Sequence, residues 1–255
     1  MRKLMLALTA AAGLFQAAPA SAQIVIGETG LTLSPSATIA SDYLFRGISQ
    51  TRSRLAYQGA AELVHSSGVY IGTFISNVRF AGTDARQEVD AYGGYRFTLF
   101  DVNLDVGGIG YIYPGYSRAP GTFNLAFFEG YLKAAREFGP VNILASVNVS
   151  PNYFGQSGTG VYVEAGADWK TGIWDVTLGG RVGYQWIDRN PRFGTPDYAW
   201  WGISLSRDFV LPVLGNTITA AVGYYDTSIS RGDCIFGTSQ DICGARALGS
   251  LTFKF

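Results

Sequence analysis

A two-residue alternation of apolar and other side chains runs through most of the chain. In the segment 141–149, the odd positions are all valine, isoleucine or alanine, and three of the four even positions are polar. Because successive side chains of a strand point to opposite faces, this period predicts strands with one apolar face. About twelve such segments occur, near residues 33–46, 54–65, 69–78, 87–98, 100–113, 124–137, 141–149, 160–170, 173–188, 197–209, 216–228 and 245–255.

Within 89–97, 102–112, 141–149, 161–169 and 174–186, no charged residue falls on the apolar face. A lysine or arginine on a lipid-facing position at mid-bilayer costs about 2–4 kcal/mol, so a barrel in a membrane requires this segregation. A soluble sandwich shows the same alternation with its polar face outward. If the chain forms a barrel, the candidate pore-lining residues are Asp42, Arg46, Glu62, Glu88, Asp90, Arg96, Asp105, Glu129, Lys133, Glu164, Asp168, Arg181 and Arg246.

Segment and connection lengths favour the barrel over the sandwich. Most segments have nine to sixteen residues, whereas strands of soluble sheets commonly have about five or six. Strict alternation of short and long connections, with both termini on the short-turn side, is typical of outer-membrane barrels. We therefore expect an all-β, closed, up-and-down antiparallel transmembrane barrel of about twelve strands. The short connections are 65–68, 99, 138–140, 171–172 and 211–215, and the long ones are 47–53, 79–86, 114–123, 150–159, 189–196 and 229–244.

The two ends of the chain agree with export to an outer membrane. Arg2 and Lys3, an apolar run and the triplet 20–22 (Ala-Ser-Ala) predict a signal peptide, residues 1–22, cleaved after Ala22. Residues 23–255 would then form one domain in the outer membrane of a Gram-negative bacterium. The last segment ends on Phe255, as is typical of strands that engage the barrel-assembly machinery, although an edge strand of a soluble sandwich is the alternative for this stretch alone.

Aromatic residues and arginines mark the expected boundaries with lipid. Aromatic side chains near strand ends on the apolar face would form the two interfacial girdles. Arginines of the long loops could pair with phosphates of lipopolysaccharide, although ordinary solvated loops are equally expected. The aromatic set is Tyr43, Phe45, Phe97, Trp169, Trp174, Trp186, Trp201, Tyr224, Phe253 and Phe255, and the arginine set is Arg52, Arg54, Arg79, Arg86, Arg118, Arg189, Arg192 and Arg231.

Charge balance and cysteine usage exclude several classes of function. The 19 basic and 19 acidic residues balance, which removes the electrostatic basis for nucleic-acid binding. Cys234 and Cys243 lie in one loop, and in an oxidising compartment they are expected to form a disulfide. A metal site is not expected because His65, the only histidine, is far from them in sequence. No cofactor is expected.

Several motifs resemble one bacterial family. These are SDYLFRGISQT from Ser41, GVYIGTFISNV from Gly68, EVDAYGGYR from Glu88 and YIYPG from Tyr111. With looser similarity in later hairpins, the chain resembles the TorF-type family of proteobacterial porins, also known as the Gcw group of conserved hypothetical proteins. The resemblance implies an outer-membrane barrel with a channel role and assigns no catalytic residue. The loop of Cys234 and Cys243 is not part of this pattern.

The expected size of the barrel indicates what could pass through it. Twelve tilted strands give a backbone diameter of roughly 24 Å and a bore of about 10 Å or less. We expect a passive channel for small hydrophilic solutes, with a mild cation preference because predicted lumen carboxylates outnumber basic groups. A barrel plugged by its own side chains is the alternative, and Arg46 would either contact solute or pair with lumen carboxylates. An outer-membrane hydrolase using His65 beside Ser66 and Ser67 is less expected, since these lie in a predicted periplasmic turn.

Overall fold

The computed structural model describes residues 23–118, 123–211, 216–237 and 241–255. The predicted signal peptide and the loop residues 119–122, 212–215 and 238–240 lie outside this described part. Within it, no helix is both long and apolar enough to cross a membrane.

Short strands and two helical turns accompany the long strands of the barrel. The helical elements are a 3-10 turn, Phe154–Gln156, and a four-residue helix α1, Asn190–Phe193. The strands are β1 Ile24–Ile26, β2 Leu31–Ala40, β3 Leu44–Phe45, β4 Ile48–Ser49, β5 Ala56–His65, β6 Val69–Asn77, β7 Gln87–Leu99, β8 Val102–Ile112, β9 Phe127–Phe138, β10 Val141–Ser150, β11 Gly160–Lys170, β12 Thr177–Ile187, β13 Tyr198–Leu211, β14 Asn216–Thr227 and β15 Arg246–Lys254.

Twelve of these strands, β2 and β5 to β15, form a closed antiparallel barrel. From β5 to β15 each strand pairs with its neighbour in sequence, and β2 pairs with β5 on one edge and with β15 on the other. At the closure Thr38 lies opposite Thr252, and their hydroxyl oxygens are 2.9 Å apart. The predicted all-β, up-and-down, twelve-stranded barrel is thereby confirmed.

Strand boundaries differ from the sequence prediction at two short turns. β8 begins at Val102 rather than residue 100, because Phe100 and Asp101 have φ values of 49° and 62° and form the turn. Positive φ at both central residues is typical of two-residue hairpin loops. β12 begins at Thr177 rather than residue 173, because Trp174 and Asp175 also have positive φ values.

The first barrel strand ends earlier than predicted. β2 stops at Ala40, whereas the alternation continues to residue 46. From Ser41 the chain leaves the barrel wall and enters the interior, where β3 and β4 form a separate two-stranded hairpin. We call residues 41–55 the inward loop.

The strand β1 shares one edge of β2 with the last strand. Ile24 to Ile26 pair with Leu33 to Leu31, while β15 pairs with positions 36–40 of β2. The opposite edge of β2 pairs with β5 along ten residues, from Leu31 to Ala40. The closing seam is thus covered by two segments from opposite ends of the described chain.

The outer and inner faces of the barrel differ as the alternation requires. Outward positions carry exposed apolar side chains, for example Ile71 and Val222, which are 63% and 59% exposed. Inward positions carry charged, hydroxyl and tyrosine side chains. Glycine makes room for the tyrosines: the ring of Tyr92 covers Gly72, where a β-carbon would overlap it.

Candidate channel lumen

The thirteen charged residues assigned to the lumen by sequence all lie on inward-facing strand positions or on the inward loop, buried or half-buried. They do not form one cluster. They divide among several polar groups that are separated by tyrosines. Whether they line a conducting pore stays a prediction.

The inward loop forms a tight hairpin inside the barrel. Its turn is made by Arg46 and Gly47, whose φ values are 50° and 83°. The backbone N–H of Gln50 donates to the carbonyl oxygen of Tyr43 at 2.7 Å and closes the hairpin. A side chain at φ above zero is uncommon for a residue other than glycine, so the position of Arg46 must be maintained by its contacts.

Arg46 makes those contacts with residues of distant strands. Its Nη1 and Nη2 donate to the two carboxylate oxygens of Glu129 at 2.9 and 2.7 Å, and Nη1 also donates to Gln185 Oε1 at 2.6 Å. The guanidinium lies 3.9 Å from the ring centroid of Tyr162. Only 6% and 1% of the Arg46 and Glu129 side chains are exposed. Arg46 therefore forms an ion pair with a lumen carboxylate, one of its two predicted roles.

Asp42 fixes the base of the inward loop. Its Oδ1 accepts from the backbone N–H of Tyr43 and from the hydroxyls of Ser49 and Thr51, at 2.8, 2.7 and 2.6 Å. Its Oδ2 accepts from Arg246 Nη1 at 2.9 Å. One carboxylate thus joins the loop to itself and to the last strand.

The predicted disulfide between Cys234 and Cys243 is confirmed, and both residues are fully buried. The loop that it closes packs on the inward loop, because the backbone N–H of Ser49 donates to the carbonyl of Ile242 at 2.9 Å. Thr227 Oγ1 donates to the carbonyl of Cys243 at 2.7 Å. The stapled loop therefore supports the inward loop from the long-loop end.

A second polar group lies nearer the short-turn end. Arg96 Nη1 and Nη2 donate to Glu62 at 2.7 and 2.8 Å, and Nε donates to Asp105 at 3.3 Å. The guanidinium lies 3.7 Å from the ring centroid of Tyr70, whose hydroxyl donates to Asp105 at 2.5 Å. The ammonium of Lys133 lies 4.3 Å from the ring centroid of Tyr131.

A third group connects β11, β12 and β13. Arg181 Nη2 donates to both carboxylate oxygens of Asp168 at 2.8 Å. Glu164 accepts from the hydroxyl of Tyr162, which in turn accepts from the indole N–H of Trp200 at 2.8 Å.

Glu88 and Asp90, adjacent inward positions of β7, differ in their contacts. Glu88 accepts a hydrogen bond of 2.6 Å from the hydroxyl of Tyr43. Asp90 is 1% exposed, and within the described part of the chain neither of its carboxylate oxygens has a hydrogen-bond partner.

Two walls of the interior have different chemistry. The charged wall consists of inward residues of β5, β7, β8 and β9, namely Glu62, Glu88, Asp90, Arg96, Asp105, Glu129 and Lys133. The hydroxyl wall consists of the inward serines and threonines of β2, β13, β14 and β15, namely Ser34, Ser36, Thr38, Ser204, Ser206, Thr217, Thr219, Ser250 and Thr252. The same strands also carry inward Asp208 and Lys254, whose charged atoms lie 3.8 Å apart. Most residues of the hydroxyl wall are half-buried, so their short side chains face accessible space.

An aromatic cluster occupies the long-loop end. Phe154 packs against Phe80 and Tyr113 with ring centroids 5.3 and 5.8 Å apart. Phe127 packs on Tyr153 at 4.9 Å. Because these rings come from the loops after β6, β8 and β10 and from the start of β9, the cluster ties the long loops together.

Two of the ten aromatic residues assigned to the lipid interface lie inside the barrel. Tyr43 is 2% exposed, and Phe45 stacks edge-on against Tyr111 at 5.6 Å. The assignment was wrong for this pair because the inward loop continues the alternation of β2 after leaving the wall. Phe97, Trp169, Trp174, Trp186, Trp201, Tyr224 and Phe255 are exposed and Phe253 is half-buried, and their contact with lipid stays a prediction.

His65 lies at an exposed short turn. Its Nδ1 is 2.8 Å from Ser67 Oγ and accepts from the Ser67 backbone N–H at 3.2 Å. The histidine therefore stabilises the turn between β5 and β6. Among the residues with described positions, no three or more His, Cys, Asp or Glu side chains are grouped to hold a metal ion.

Four arginines near the long-loop end act on one another electrostatically, two from the last part of the inward loop and two from the loop between β6 and β7, and we call Arg52, Arg54, Arg79 and Arg86 the arginine cluster. The pKa of Arg79 is lower than usual, chiefly because of the positive charge of Arg54 and further because of Arg52 and Arg86. The Arg79 backbone N–H donates to the carbonyl of Gln50 at 2.7 Å, which holds the two loops together.

Sequence reasoning missed the uncharged groups that complete the lumen network. Tyr70, Tyr131, Tyr153, Tyr162 and Gln185 are all nearly or fully buried and contact the charged residues. Four of them sit on barrel strands with the same inward parity as the charges, and that parity is the signal that could have identified them.

Comparisons with known proteins agree with the fold. The family model "Bacterial protein of unknown function (Gcw_chp)" matches residues 25–243. The solved structure titled "KdgM porin" has a TM-score of 0.53 and 9% identity, covering 87% of this chain and 98% of its own. The NanC porin structure has a TM-score of 0.53 and 10% identity, covering 88% and 98%. No curated protein matches the sequence.

Proposed function

The chain belongs to the Gcw_chp family of bacterial proteins of unknown function, and from this premise we propose that it is an outer-membrane channel for passive diffusion of small hydrophilic solutes. The likeness in fold to two porins supports a barrel in the outer membrane. The finer assignment to TorF-type porins is part of the same proposal, as is the absence of enzymatic activity.

The observation that carries the proposal is the contrast between the two faces of the wall. Outward positions are apolar over the height of the barrel, while inward positions carry carboxylates, guanidinium groups and hydroxyls. A barrel surrounded by lipid and traversed by polar solutes needs this distribution. The short side chains of the hydroxyl wall provide the path with the most room.

The test is the single-channel conductance of the refolded protein in a planar lipid bilayer. We expect discrete, ohmic steps. Folding is checked separately by the change in gel mobility of the heated and unheated protein. Silence from protein that is folded by this criterion would contradict the channel.

The plugged barrel is the second candidate, and the inward loop favours it. The buried pair of Arg46 and Glu129 and the aromatic cluster both occupy the long-loop half of the interior. The double variant Arg46→Ala/Glu129→Ala removes both charges and the bulk of the guanidinium. A channel conducts before and after this change, with larger steps in the variant, whereas a plugged barrel conducts only in the variant.

We further propose that the arginine cluster binds phosphates of lipopolysaccharide. Guanidinium groups bind phosphate in bidentate geometry, and close positive charges favour a multiply charged partner. Replacing Arg54, Arg79 and Arg86 by Gln should weaken retention of purified lipopolysaccharide on the folded barrel. Arg136→Gln, at the short-turn end, is the control and should have no effect.

The last strand is proposed to engage the barrel-assembly machinery. Phe255 is 46% exposed and follows β15, whose outward face is apolar at Leu251. Phe255→Ala should reduce the amount of folded barrel in cells while leaving refolding from denaturant in detergent unchanged. Equal loss in both settings would contradict a role in assembly.

A further inference from the structure

We propose that Asp90, together with Glu88, forms a binding site for a small monovalent cation inside the barrel. The inference rests on the proposed function, because it names the class of solute that the lumen holds. It starts from a carboxylate that the rest of the interior leaves without a partner.

Asp90 is buried without any compensating group from the protein. It is 1% exposed, and across the described ranges neither Oδ1 nor Oδ2 has a hydrogen-bond partner. Buried charges are normally paired or hydrogen-bonded. A carboxylate in this position therefore requires a cation from outside the chain or a bound proton.

The surroundings of Asp90 add negative charge. The charged groups that act on it are Glu88 and Glu129. Glu129 is neutralised by the bidentate contact with Arg46, whose guanidinium also donates to Gln185 and Tyr153. The other inward arginines pair elsewhere, namely Arg96 with Glu62 and Asp105, Arg181 with Asp168 and Arg246 with Asp42. Glu88 and Asp90 have no ion-pair partner among these arginines.

Neighbouring side chains can complete a shell of oxygen ligands. Tyr43 donates to Glu88 Oε1 at 2.6 Å and the Tyr113 hydroxyl also hydrogen-bonds to Glu88, so two phenol oxygens lie beside this carboxylate. Asp90 pairs in register with Phe74 and Tyr111 on the flanking strands, and the Tyr111 hydroxyl lies 3.3 Å from Glu129 Oε2. Asp90 itself is 1% exposed, so the site is shielded from bulk water.

The donor set favours a monovalent cation over a divalent one. Calcium takes about six to eight oxygen ligands and magnesium requires a near-ideal octahedron. The described residues contain no group of three or more acidic, histidine or cysteine side chains placed for such an ion. Two carboxylate groups with phenol oxygens suit a potassium or sodium ion, or the ammonium head of a small solute.

The first experiment measures thermal unfolding of the folded barrel in detergent micelles. Potassium replaces N-methyl-D-glucammonium at constant ionic strength and pH 7.5. A ligand that binds only the folded state raises the Tm with its concentration. We expect the Tm of the wild type to rise with potassium and that of Asp90→Asn to stay constant. Asp175→Asn, in an exposed turn, is the control and should behave as the wild type.

The alternative occupant of Asp90 is a proton, and it predicts a different result. If Asp90 is a neutral carboxyl group, the Tm of the wild type and that of Asp90→Asn should both stay constant as potassium is raised, whatever their absolute values. This outcome overturns the proposal. Glu88→Gln provides a second variant in case Asp90→Asn does not fold, and it should weaken the potassium dependence. A parallel titration with methylammonium distinguishes a site for inorganic ions from one that also accepts organic ammonium groups.

The second experiment separates this proposal from the channel itself. In a tenfold gradient of potassium chloride, the reversal potential of the wild type should favour potassium, and Asp90→Asn should lower the permeability ratio several-fold. A conducting barrel with unchanged selectivity and no potassium effect on Tm would retain the channel and remove the site. A silent barrel whose Tm rises with potassium through Asp90 would remove the channel and retain the site.

Discussion

The charged wall and the hydroxyl wall face each other across the same barrel but use their polar groups differently. On the charged wall, long side chains of nearby strands pair with one another, as Arg96 does with Glu62 and Asp105. On the hydroxyl wall, serines and threonines such as Ser204 and Ser250 stay close to the backbone and remain half-buried.

The two walls differ in how freely their polar side chains can change partners. Paired charges that are almost fully buried are held in fixed positions and set the electric field of the lumen. Short hydroxyl side chains can exchange hydrogen bonds with water and solutes without rearrangement. We therefore propose that the charged wall sets the shape and charge of the lumen and that solutes pass along the hydroxyl wall.

The largest effect is expected from breaking the central pair of the charged wall. Glu129→Ala leaves the guanidinium of Arg46 buried without its carboxylate and should lower the free energy of unfolding by about 3–5 kcal/mol. The measurement is denaturant unfolding of the refolded barrel in micelles. Asp101→Asn is the control, because its pair with Arg136 is exposed at both ends and should contribute less than about 1 kcal/mol.

The stapled loop should contribute less than the central pair. Cys234 and Cys243 close a loop with a sequence separation of 9, so replacing both by Ser should cost about 2–3 kcal/mol in thermal unfolding. When the wild type is denatured, reduced with a small dithiol and refolded, its Tm should fall by the same amount. The variant treated in the same way should show no change in Tm. An unchanged Tm would show that the inward loop does not depend on the staple.

The hydroxyl wall should respond in conductance rather than in stability. Ser250→Trp places a large ring on the inward face of β15 and should reduce single-channel conductance by about half. Leu251→Trp is the matched control, because Leu251 points outward and is 47% exposed. Equal conductance in the two variants would contradict the solute path along this wall.

The smallest effect concerns a contact of the loops above the two walls. Asp84 accepts from the Ser117 backbone N–H at 3.0 and 3.3 Å, and this hydrogen bond lowers the pKa of Asp84. A lowered pKa means that the contact is fully present above the ordinary aspartate range, about pH 4, and is lost only as the pH falls below it. The amide chemical shift of Ser117 should follow the loss of this hydrogen bond as the pH is lowered. In Asp84→Asn, the Ser117 shift should no longer change over this pH range. A midpoint above pH 4 would contradict it.

Much of the wall could be predicted from the sequence, because strand parity is a local property. The inward positions of Glu62 and Asp168 and the outward positions of Val182 and Trp201 follow from alternation alone. The prediction from alternation failed at Tyr43, because the chain leaves the barrel wall just before it. Asp42 accepts hydrogen bonds from the backbone N–H of Tyr43 and from two hydroxyls of the inward loop, and these contacts hold this segment inside the barrel.

The partners of the inward charges could not be predicted in this way. Arg46 meets Glu129 83 positions later and Gln185 139 positions later. Such contacts depend on how strands are ordered around the barrel and on the radius of its interior. That Asp90 lacks a hydrogen-bond partner among the described residues likewise becomes visible only once the partners of the other inward charges are known.

The short strand β1 has a consequence for the order of assembly. Before β15 arrives, the free edge of β2 is a template for wrong pairing with other chains. The hairpin of β1 and β2 needs only a local turn, so it can form early and occupy positions 31–33 of that edge. The last strand then has only positions 36–40 to pair with. A folding intermediate with β1 in place would expose a shorter edge, and truncation of residues 24–26 should increase aggregation during refolding.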